Sequence, residues 1–358
     1  QKMFVNFRLL KKKNILVMGE SFLIDFLKNK KYEYEYIYFD KKTVNFFIIL
    51  KIFFSNPLLI FNLQLLSQDY FTRVIKTVNP KLIITYHDNH INFYKLKKIF
   101  PDKKFIAIQN GYRFKKNDIF EKLGIKENLS CDYIFCFGNA VARLYRSMIK
   151  TKTICHGSLK NNIVKIKEKK KNLLVFISSY GLGNNSTELK IIPILLKYCL
   201  KNNLKFLIIN RMKTKKEIDF YLSFKGILKK NMIIRKNYSH TNQLLSYKVI
   251  DTAKIAICLN STLGYENLSR GNRTLFINTK DRNLNCSSFL SFGWPVKFKK
   301  NGPLWLGSVN RSNIFYKLDY ILKLKSFKWK KIQKKYTKNI INYEYKNTSL
   351  LKLINKYS

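Results

Sequence analysis

Negative charge is what this chain has least of: 21 Asp and Glu stand against 69 Lys and Arg, a formal net charge of +48 over 358 residues. The lysines are spread along the chain rather than gathered in one tail. Part of the excess reads as compositional drift towards Lys, Asn, Ile, Phe and Tyr, as an AT-rich genome produces. The functional reading is attraction to a polyanion, whether phospholipid, nucleic acid or a phosphorylated substrate. Histidine is scarce, with four in all, and the six cysteines (Cys131, Cys136, Cys155, Cys199, Cys258, Cys286) form no CxxC pair. Zinc spacing is therefore missing, and reduced, buried thiols with no metal site are expected. No helix-turn-helix, RRM, KH or zinc pattern is present, and the aromatics fall in core-type strands rather than on a stacking surface, which argues against nucleic acid as partner. Nor does any apolar run reach the ~20 residues of a spanning helix. The longest, Val44 to Leu66, is broken by Lys51 and by Asn56-Pro57 and reads as two buried or interfacial helices. No cleavable signal, internal repeat, heptad or low-complexity block stands out.

Apolar residues make up 46% of the chain and aromatics 15%, ample for packed cores. The length predicts two domains of roughly 150–180 residues each. Short apolar runs alternate with amphipathic segments: strands at 14–19, 34–40, 82–86, 105–108, 132–138 and 151–156, then, after the charged stretch 165–171, at 172–181, 204–211, 231–236, 253–260 and 274–278. Such alternation implies parallel sheets covered on both faces. The fold expected is α/β, two doubly wound Rossmann-like domains facing a cleft: 1–165, 166–310, and a basic helical segment 311–358 packing back across both.

The organising stretch runs from Lys81 to Arg113, a strand–helix–strand unit with polar residues at the exit of each strand. In open α/β sheets ligands bind outside the carboxyl ends of strands. Asp88, in His87-Asp88-Asn89-His90, sits at such an end and can serve as general base or as nucleophile at a sugar carbon. The plainer alternative is that Asp88 and Asn89 merely make a turn. Gln109 and Asn110 present amides at the same edge, and Gly111 permits positive φ. In Asn260-Ser261-Thr262-Leu263-Gly264-Tyr265-Glu266, an apolar strand ends in hydroxyl residues that open a helix, a ready anion site, with Glu266 one turn later in reach of a ribose hydroxyl or base. The alternative there is helix capping, although the spacing is not that of a capping box. Ser178-Ser179-Tyr180-Gly181 is a weaker phosphate loop, Arg211 ends its strand where it can pair with a phosphate, and His156-Gly157-Ser158 can bond a ligand across the cleft. Glu20, after the first strand, is a second-rank catalytic carboxylate, or a charge complementing a helix start.

With these residues in view, the chain resembles bacterial surface-polysaccharide glycosyltransferases of the GT-B fold. The likeness is to the surface-carbohydrate biosynthesis branch that includes transferases using CMP-activated Kdo-type sugars. It is carried by HDN…FY…IQNGYR (87–113), by Phe137-Gly138…Gly157-Ser158…Asn161-Asn162, and by NSTLGYENLSRGN (260–272). The last motif is common among GT-B enzymes, and the HDN-to-QNG pairing is narrower. The resemblance implies that Ser261, Thr262, Tyr265 and Glu266 hold the nucleotide sugar, with Ser178, Ser179, Tyr180 and Arg211 near its phosphate. It implies Asp88 as the catalytic carboxylate, by nucleophilic attack in a retaining enzyme or by proton abstraction in an inverting one. His87, Asn89, Gln109, Asn110, Arg113 and His156 are then the substrate-side residues. One departure is that His87 and His90 flank the aspartate where apolar or amide neighbours are expected. No cofactor is implied beyond the nucleotide sugar, CMP-linked by preference. The partners implied are a glycan or lipid-linked glycan acceptor and the anionic inner face of the cytoplasmic membrane. The alternatives are a nucleotide-sugar 2-epimerase of the same fold and a basic nucleic-acid-binding protein.

Overall fold

The computed structural model describes residues 4–19, 21–38, 43–58, 62–114, 119–122, 128–166, 170–181, 185–211, 214–224, 232–234, 244–277 and 292–358. In chain order the first half holds β1 (Phe4–Asn6), β2 (Ile15–Met18), α1 (Ser21–Asn29), β3 (Tyr34–Ile37), β4 (Thr43–Asn45), α2 (Phe46–Ser55), α3 (Leu63–Val78), β5 (Leu82–Thr85), α4 (Ile91–Ile99), β6 (Lys104–Ile108), α5 (Ile119–Lys122), β7 (Leu129–Cys136), α6 (Asn139–Met148), β8 (Ile149–Cys155) and α7 (Leu159–Ile163). The second half holds β9 (Leu173–Ile177), α8 (Asn185–Lys201), β10 (Lys205–Ile209), α9 (Lys215–Leu222), β11 (Ile233–Ile234), α10 (Leu245–Thr252), β12 (Ile255–Cys258), α11 (Thr262–Ser269), β13 (Thr274–Ile277) and β14 (Trp305–Leu306), and closes with α12 (Arg311–Lys323), α13 (Ser326–Ile340) and α14 (Thr348–Tyr357).

Two six-stranded sheets result, every pairing parallel: β3-β2-β5-β6-β7-β8 and β11-β10-β9-β12-β13-β14. The apolar runs are buried on both faces, as strands of a parallel sheet must be. Ile15, Val17, Leu82, Ile84, Ile106 and Ile108 face α1 and α14. Their neighbours Leu16, Met18, Ile83, Phe105 and Ala107 face α2, α3, α4 and α6, in a core continuous with that of the second sheet. The doubly wound α/β fold expected from the alternation of elements is what the chain adopts. The sequence reading missed β1, which pairs in parallel with β4, and the edge strand β14, both too short to carry a periodic signal.

The asparagines favoured by this composition do capping work. Asn45 and Asn62 accept the backbone N–H of Ile48 and Leu65 at 3.2 Å, and Asn79 closes α3 in the left-handed region at φ 49°. The basic carboxyl-terminal helices straddle both sheets. Trp329 and Gln333 of α13 donate to the carbonyls of Gly271 and Leu268 on the second-domain side, at 2.7 and 2.9 Å. Asn342 follows with its backbone N–H on Phe137 O at 2.8 Å and its amide on Cys155 O at 2.7 Å, on the first. Leu350 and Ile354 of α14 then bury themselves completely against the first sheet. Among the described residues, Cys131, Cys136, Cys155, Cys199 and Cys258 are free thiols, and Cys286 lies outside them.

Gly157 is the point where this return segment docks. It sits at φ +87°, bridges Tyr343, and a Cβ there would stand 2.1 Å from the carbonyl oxygen of Asn342. Gly157→Ala should therefore lower the melting temperature by about 3–10 °C and speed proteolysis after residue 341, read by thermal melts and limited digestion. An unchanged melt and digest would mean that the docking carries no stability.

Candidate functional site

The order of the first sheet reverses between β2 and β5, and that of the second between β9 and β12. Crevices outside the carboxyl ends of strands open at such switch points. In the first domain this edge is Gly19 with Tyr86–Asn89, packed so closely that a Cβ on Gly19 would meet His87 Cδ2 at 2.9 Å. In the second it is Ser178–Gly181 beside Asn260–Thr262. The two edges touch. Thr262 Oγ1 accepts the backbone N–H of Tyr112 at 3.0 Å, and the Tyr112 and Tyr265 rings stack at 3.9 Å and 5°. Ser158 donates its hydroxyl to Glu266 Oε1, and Asn161 Nδ2 donates to Ser269 Oγ at 3.0 Å. Below them Arg270, fully buried against Asp251, donates to Asn161 Oδ1 at 3.0 Å and to the Val164 carbonyl at 2.9 Å, which clamps the domain linker.

Asp88 lies one layer behind this contact, at 0% exposure. Its Oδ1 accepts the Asn110 backbone N–H at 3.1 Å and a terminal nitrogen of Arg113. Its Oδ2 accepts Arg113 Nε at 2.8 Å and the Tyr145 hydroxyl. Burial, reinforced by the Asp88 charge, pushes the Tyr145 phenol well above its ordinary range. Asp88, expected as the catalytic carboxylate, is thus held with both oxygens engaged in a closed, desolvated charge pair. What the carboxylate does is grip both ends of the 110–113 turn, whose middle residue meets Thr262.

Other expected ligand contacts turn out to be framework for the same reason. Arg113 is neutralised by Asp88. Gln109 accepts Phe137 N–H and donates to Gly111 O, both at 2.8 Å, and is buried. Gly111 does not use the positive φ open to it. His87 is buried beneath Gly19. His156 packs edge-on to Phe135 at 4.9 Å, and burial lowers its pKa to about 4, so it is a neutral core residue rather than a ligand donor in the cleft. Tyr265 is buried between Tyr112, Phe276 and Phe292, where its ring has no ligand face. Glu266 does not cap α11; it is buried against Ser158 and Tyr247, whose phenol is driven well above its usual range by burial and then by that carboxylate. The Ser261 side chain makes no capping bond either, so the capping alternative fails as well.

Sequence reasoning missed the support beneath the 178–181 loop. Glu188 Oε2 bonds Tyr221 OH at 2.7 Å, Tyr221 OH bonds Ser178 Oγ at 2.6 Å, and Ser178 Oγ bonds Glu217 Oε1 at 2.6 Å. Four oxygens in three bonds need three protons, and the two hydroxyls bring two. The third belongs to a carboxyl, and burial, with the Glu217 charge adding to it, raises Glu188 to about 7. Glu188 Oε1 also accepts Ser179 N–H at 2.6 Å, and Glu217 Oε1 accepts Arg211 N–H at 2.7 Å. Ser178 and Ser179, expected at a phosphate, are thus buried inside this network. A signal was available: Glu188 precedes Ile191, Ile192 and Leu195 on the apolar face of its helix, and Glu217 shares a face with Tyr221.

The residues left accessible form a rim. Asn89 and Asn110 lie on the first-domain edge, and Tyr180, Arg211, Ser261 and Thr262 on the second. Arg211 holds the Tyr180 carbonyl at 3.0 Å with one nitrogen, and its guanidinium is otherwise exposed. Glu20 lies outside the described residues. Among the described residues no group of His, Cys, Asp and Glu is arranged to hold a metal ion.

Two outcomes check this assignment. Asp88→Ala should cost about 3–5 kcal/mol of stability, the penalty for orphaning a buried partner, and lower the melting temperature accordingly. A base acting on substrate would instead leave the melt unchanged while activity vanished. Between pH 4.5 and about 7 the native state holds a Glu188 proton that the unfolded chain releases, so this group's contribution is full at low pH and is lost as pH rises through that window. Urea melts at pH 5 and 8 should show a decline, on the order of 2–3 kcal/mol, that Glu188→Gln flattens. An equal decline in the variant would refute the shared proton.

The chain matches a family described as "putative O-antigen biosynthesis protein" over residues 106–192 and 184–358, more than half of its length. No curated protein sequence matches it. Among solved structures it is similar to a "putative UDP-N-acetylglucosamine 2-epimerase" from Listeria monocytogenes, at 12% identity and TM-score 0.58, covering 96% of each chain. It is also similar to a variant of the wall teichoic acid polymerase TagF soaked with CDPG, at 11% identity and TM-score 0.55, covering 97% of this chain and 89% of that one. A third is the UDP-GlcNAc 2-epimerase from Methanocaldococcus jannaschii, at 11% identity and TM-score 0.52, covering 96% of this chain and 99% of that one. These likenesses establish the architecture, two Rossmann-like domains in the GT-B arrangement, and the chain belongs to the family of O-antigen biosynthesis proteins.

Proposed function

We propose that the protein is a metal-independent glycosyltransferase that moves a sugar from a nucleotide donor, CMP-linked by preference and carrying Kdo or a related nonulosonic acid, to a surface glycan or lipid-linked glycan. The observation that supports this most is the second-domain rim. The α11 amino terminus opens on a Ser261 hydroxyl that takes no part in capping, at the switch point shared with the 178–181 loop. Such a helix start, with its dipole and unpaired N–H groups, stabilises the phosphate that leaves as the glycosidic bond forms. The exposed guanidinium of Arg211, at the end of the strand next to β9, adds a fork that fits phosphate oxygens.

Asn89 and Asn110 orient the acceptor from the opposite edge. With Asp88 locked to Arg113, Glu20, next in sequence to Gly19 at the first switch point, takes the role of the carboxylate that accepts the acceptor's hydroxyl proton. The acceptor oxygen bonds to the anomeric carbon, the bond from that carbon to the donor phosphate breaks, and the nucleotide departs with the electron pair. The work is done in the cytoplasm at the inner membrane face. Among the described residues no helix is long and apolar enough to cross a membrane.

Mass spectrometry after incubation with CMP-, UDP- and GDP-sugars and a glycan acceptor tests the reading. A glycosylated product is expected, formed without added metal. Arg211→Ala and Ser261→Ala should each weaken nucleotide binding about 10-fold. Glu20→Gln should abolish transfer and leave nucleotide binding within about threefold, as loss of a proton acceptor does. An epimerised sugar with free UDP and no acceptor product would favour the epimerase. Salt-sensitive binding of random DNA with no response to any nucleotide would favour the nucleic-acid reading.

A further inference from the structure

Large apolar side chains left in water are ordinarily scattered singly over a protein surface. Here they are gathered. Of the seventeen found among the described residues, ten fall between residues 4 and 65. They lie on β1 with the segment after it and on α2 with the start of α3. The two sequence-distant parts form one surface, since the Phe7 ring meets that of Phe46 at 5.0 Å.

α2 (Phe46–Ser55) shows why this is not a face of the ordinary kind. It buries Ile48 and Ile52 against the core, i and i+4 on one side. The side turned outward should then be polar. Instead it carries Phe46, Leu50, Phe53 and Phe54, the last 77% exposed, with Lys51 set among them. Phe4 and Phe7, each 64% exposed, extend the surface. An open groove of about 400 Å³ is lined by Phe47, Leu50 and Phe54 together with Lys51 and Arg73. Exposed basic residues accompany the surface: Lys51 on α2, and Lys11 and Lys12 in the segment after β1. Among the described residues, Glu35 pairs with Arg8, Glu33 with Lys13 and Asp69 with Arg73.

We propose that this face, the outer side of α2 together with β1, docks the protein onto an anionic lipid bilayer. The phenylalanines enter the acyl boundary and the lysines meet the phosphate headgroups. A short helix with Phe and Leu outward and Lys on its flank is suited to lie in the plane of a membrane interface. Each basic residue near an anionic surface adds attraction that falls off within a Debye length. The placement also makes sense of the acceptor edge. α2 packs on α3, and Phe71 of α3 meets the His90 ring edge-on at 6.5 Å, next to the exposed Asn89. The docking face and the rim that receives the acceptor are thus joined through one helix.

The choice of bilayer follows the membrane partner proposed above, but its test needs no sugar nucleotide, so failure of one reading is separable from failure of the other. The full chain is floated with vesicles of phosphatidylcholine alone and of equal parts phosphatidylcholine and phosphatidylglycerol. The wild type should float with the anionic vesicles at low salt and bind the neutral ones about 10-fold more weakly. Phe53→Ser combined with Phe54→Ser, both solvent-facing, should lose about 10-fold or more of anionic-vesicle binding with an unchanged melt. Lys51→Glu should weaken anionic binding and leave the neutral-vesicle residue as it was. Absence of binding to either vesicle, or binding that the double substitution leaves intact, overturns the proposal. So does a wild-type dimer in sedimentation that the double substitution turns into a monomer, since the face would then belong to a second copy.

Discussion

The contact between the two domains rests on a charge pair that never meets water. Asp88 and Arg113 neutralise each other at 0% and 7% exposure, and Asn110 N–H and Tyr145 O–H saturate what remains of the carboxylate. A buried ion pair of this kind adds little net stability over an apolar replacement, yet removing one partner is costly. Its value here is directional. It fixes both ends of the turn at 110–113, so that Tyr112 presents its N–H to Thr262 and its ring to Tyr265 across 150 residues of sequence. Without that grip, the helix start in the second domain would have nothing rigid to meet.

A second polar network does the same for the other edge. Glu188, Tyr221, Ser178 and Glu217 hold the strand exit from beneath, and Arg211 is anchored through its backbone N–H while its side chain stays in solvent. Both edges of the crevice are therefore built alike: buried carboxylates bind backbone and hydroxyl groups, and the residues free to touch a ligand stand one layer outward. Conserving the outer layer alone would not preserve the site, because its geometry is set from behind.

The fold was legible because its signal is redundant. Most of the buried parallel strands are short apolar runs, most are followed by a helix, and the charged stretch 165–171 interrupts the series once. The location of the crevice was legible too, since polar residues after Thr85, Ile108, Ile177 and Cys258 mark strand exits. What could not be read was which of those polar residues face inward. Asp88 and Asn89 are neighbours with the same turn preference, yet one is sealed and the other exposed. That difference depends on Arg113 and Tyr145, 25 and 57 residues away, and no local pattern announces such partners. Ser178 is buried for the same kind of reason: a hydroxyl at a strand exit suits a ligand and a buried glutamate equally well. The apolar stretch 44–66 is the opposite case: read from sequence as buried or interfacial helices, it leaves Phe46, Leu50, Phe53 and Phe54 exposed on α2.

The claim that a buried carboxylate in one domain sets the helix start of the other is tested most directly by hydrogen exchange. Amides of residues 109–113 and 261–265 are to be compared between the wild-type chain and Asp88→Asn under conditions where both are folded. The account requires the two segments to lose protection together, the second as much as the first. Loss confined to 109–113, with 261–265 exchanging as before, would contradict it.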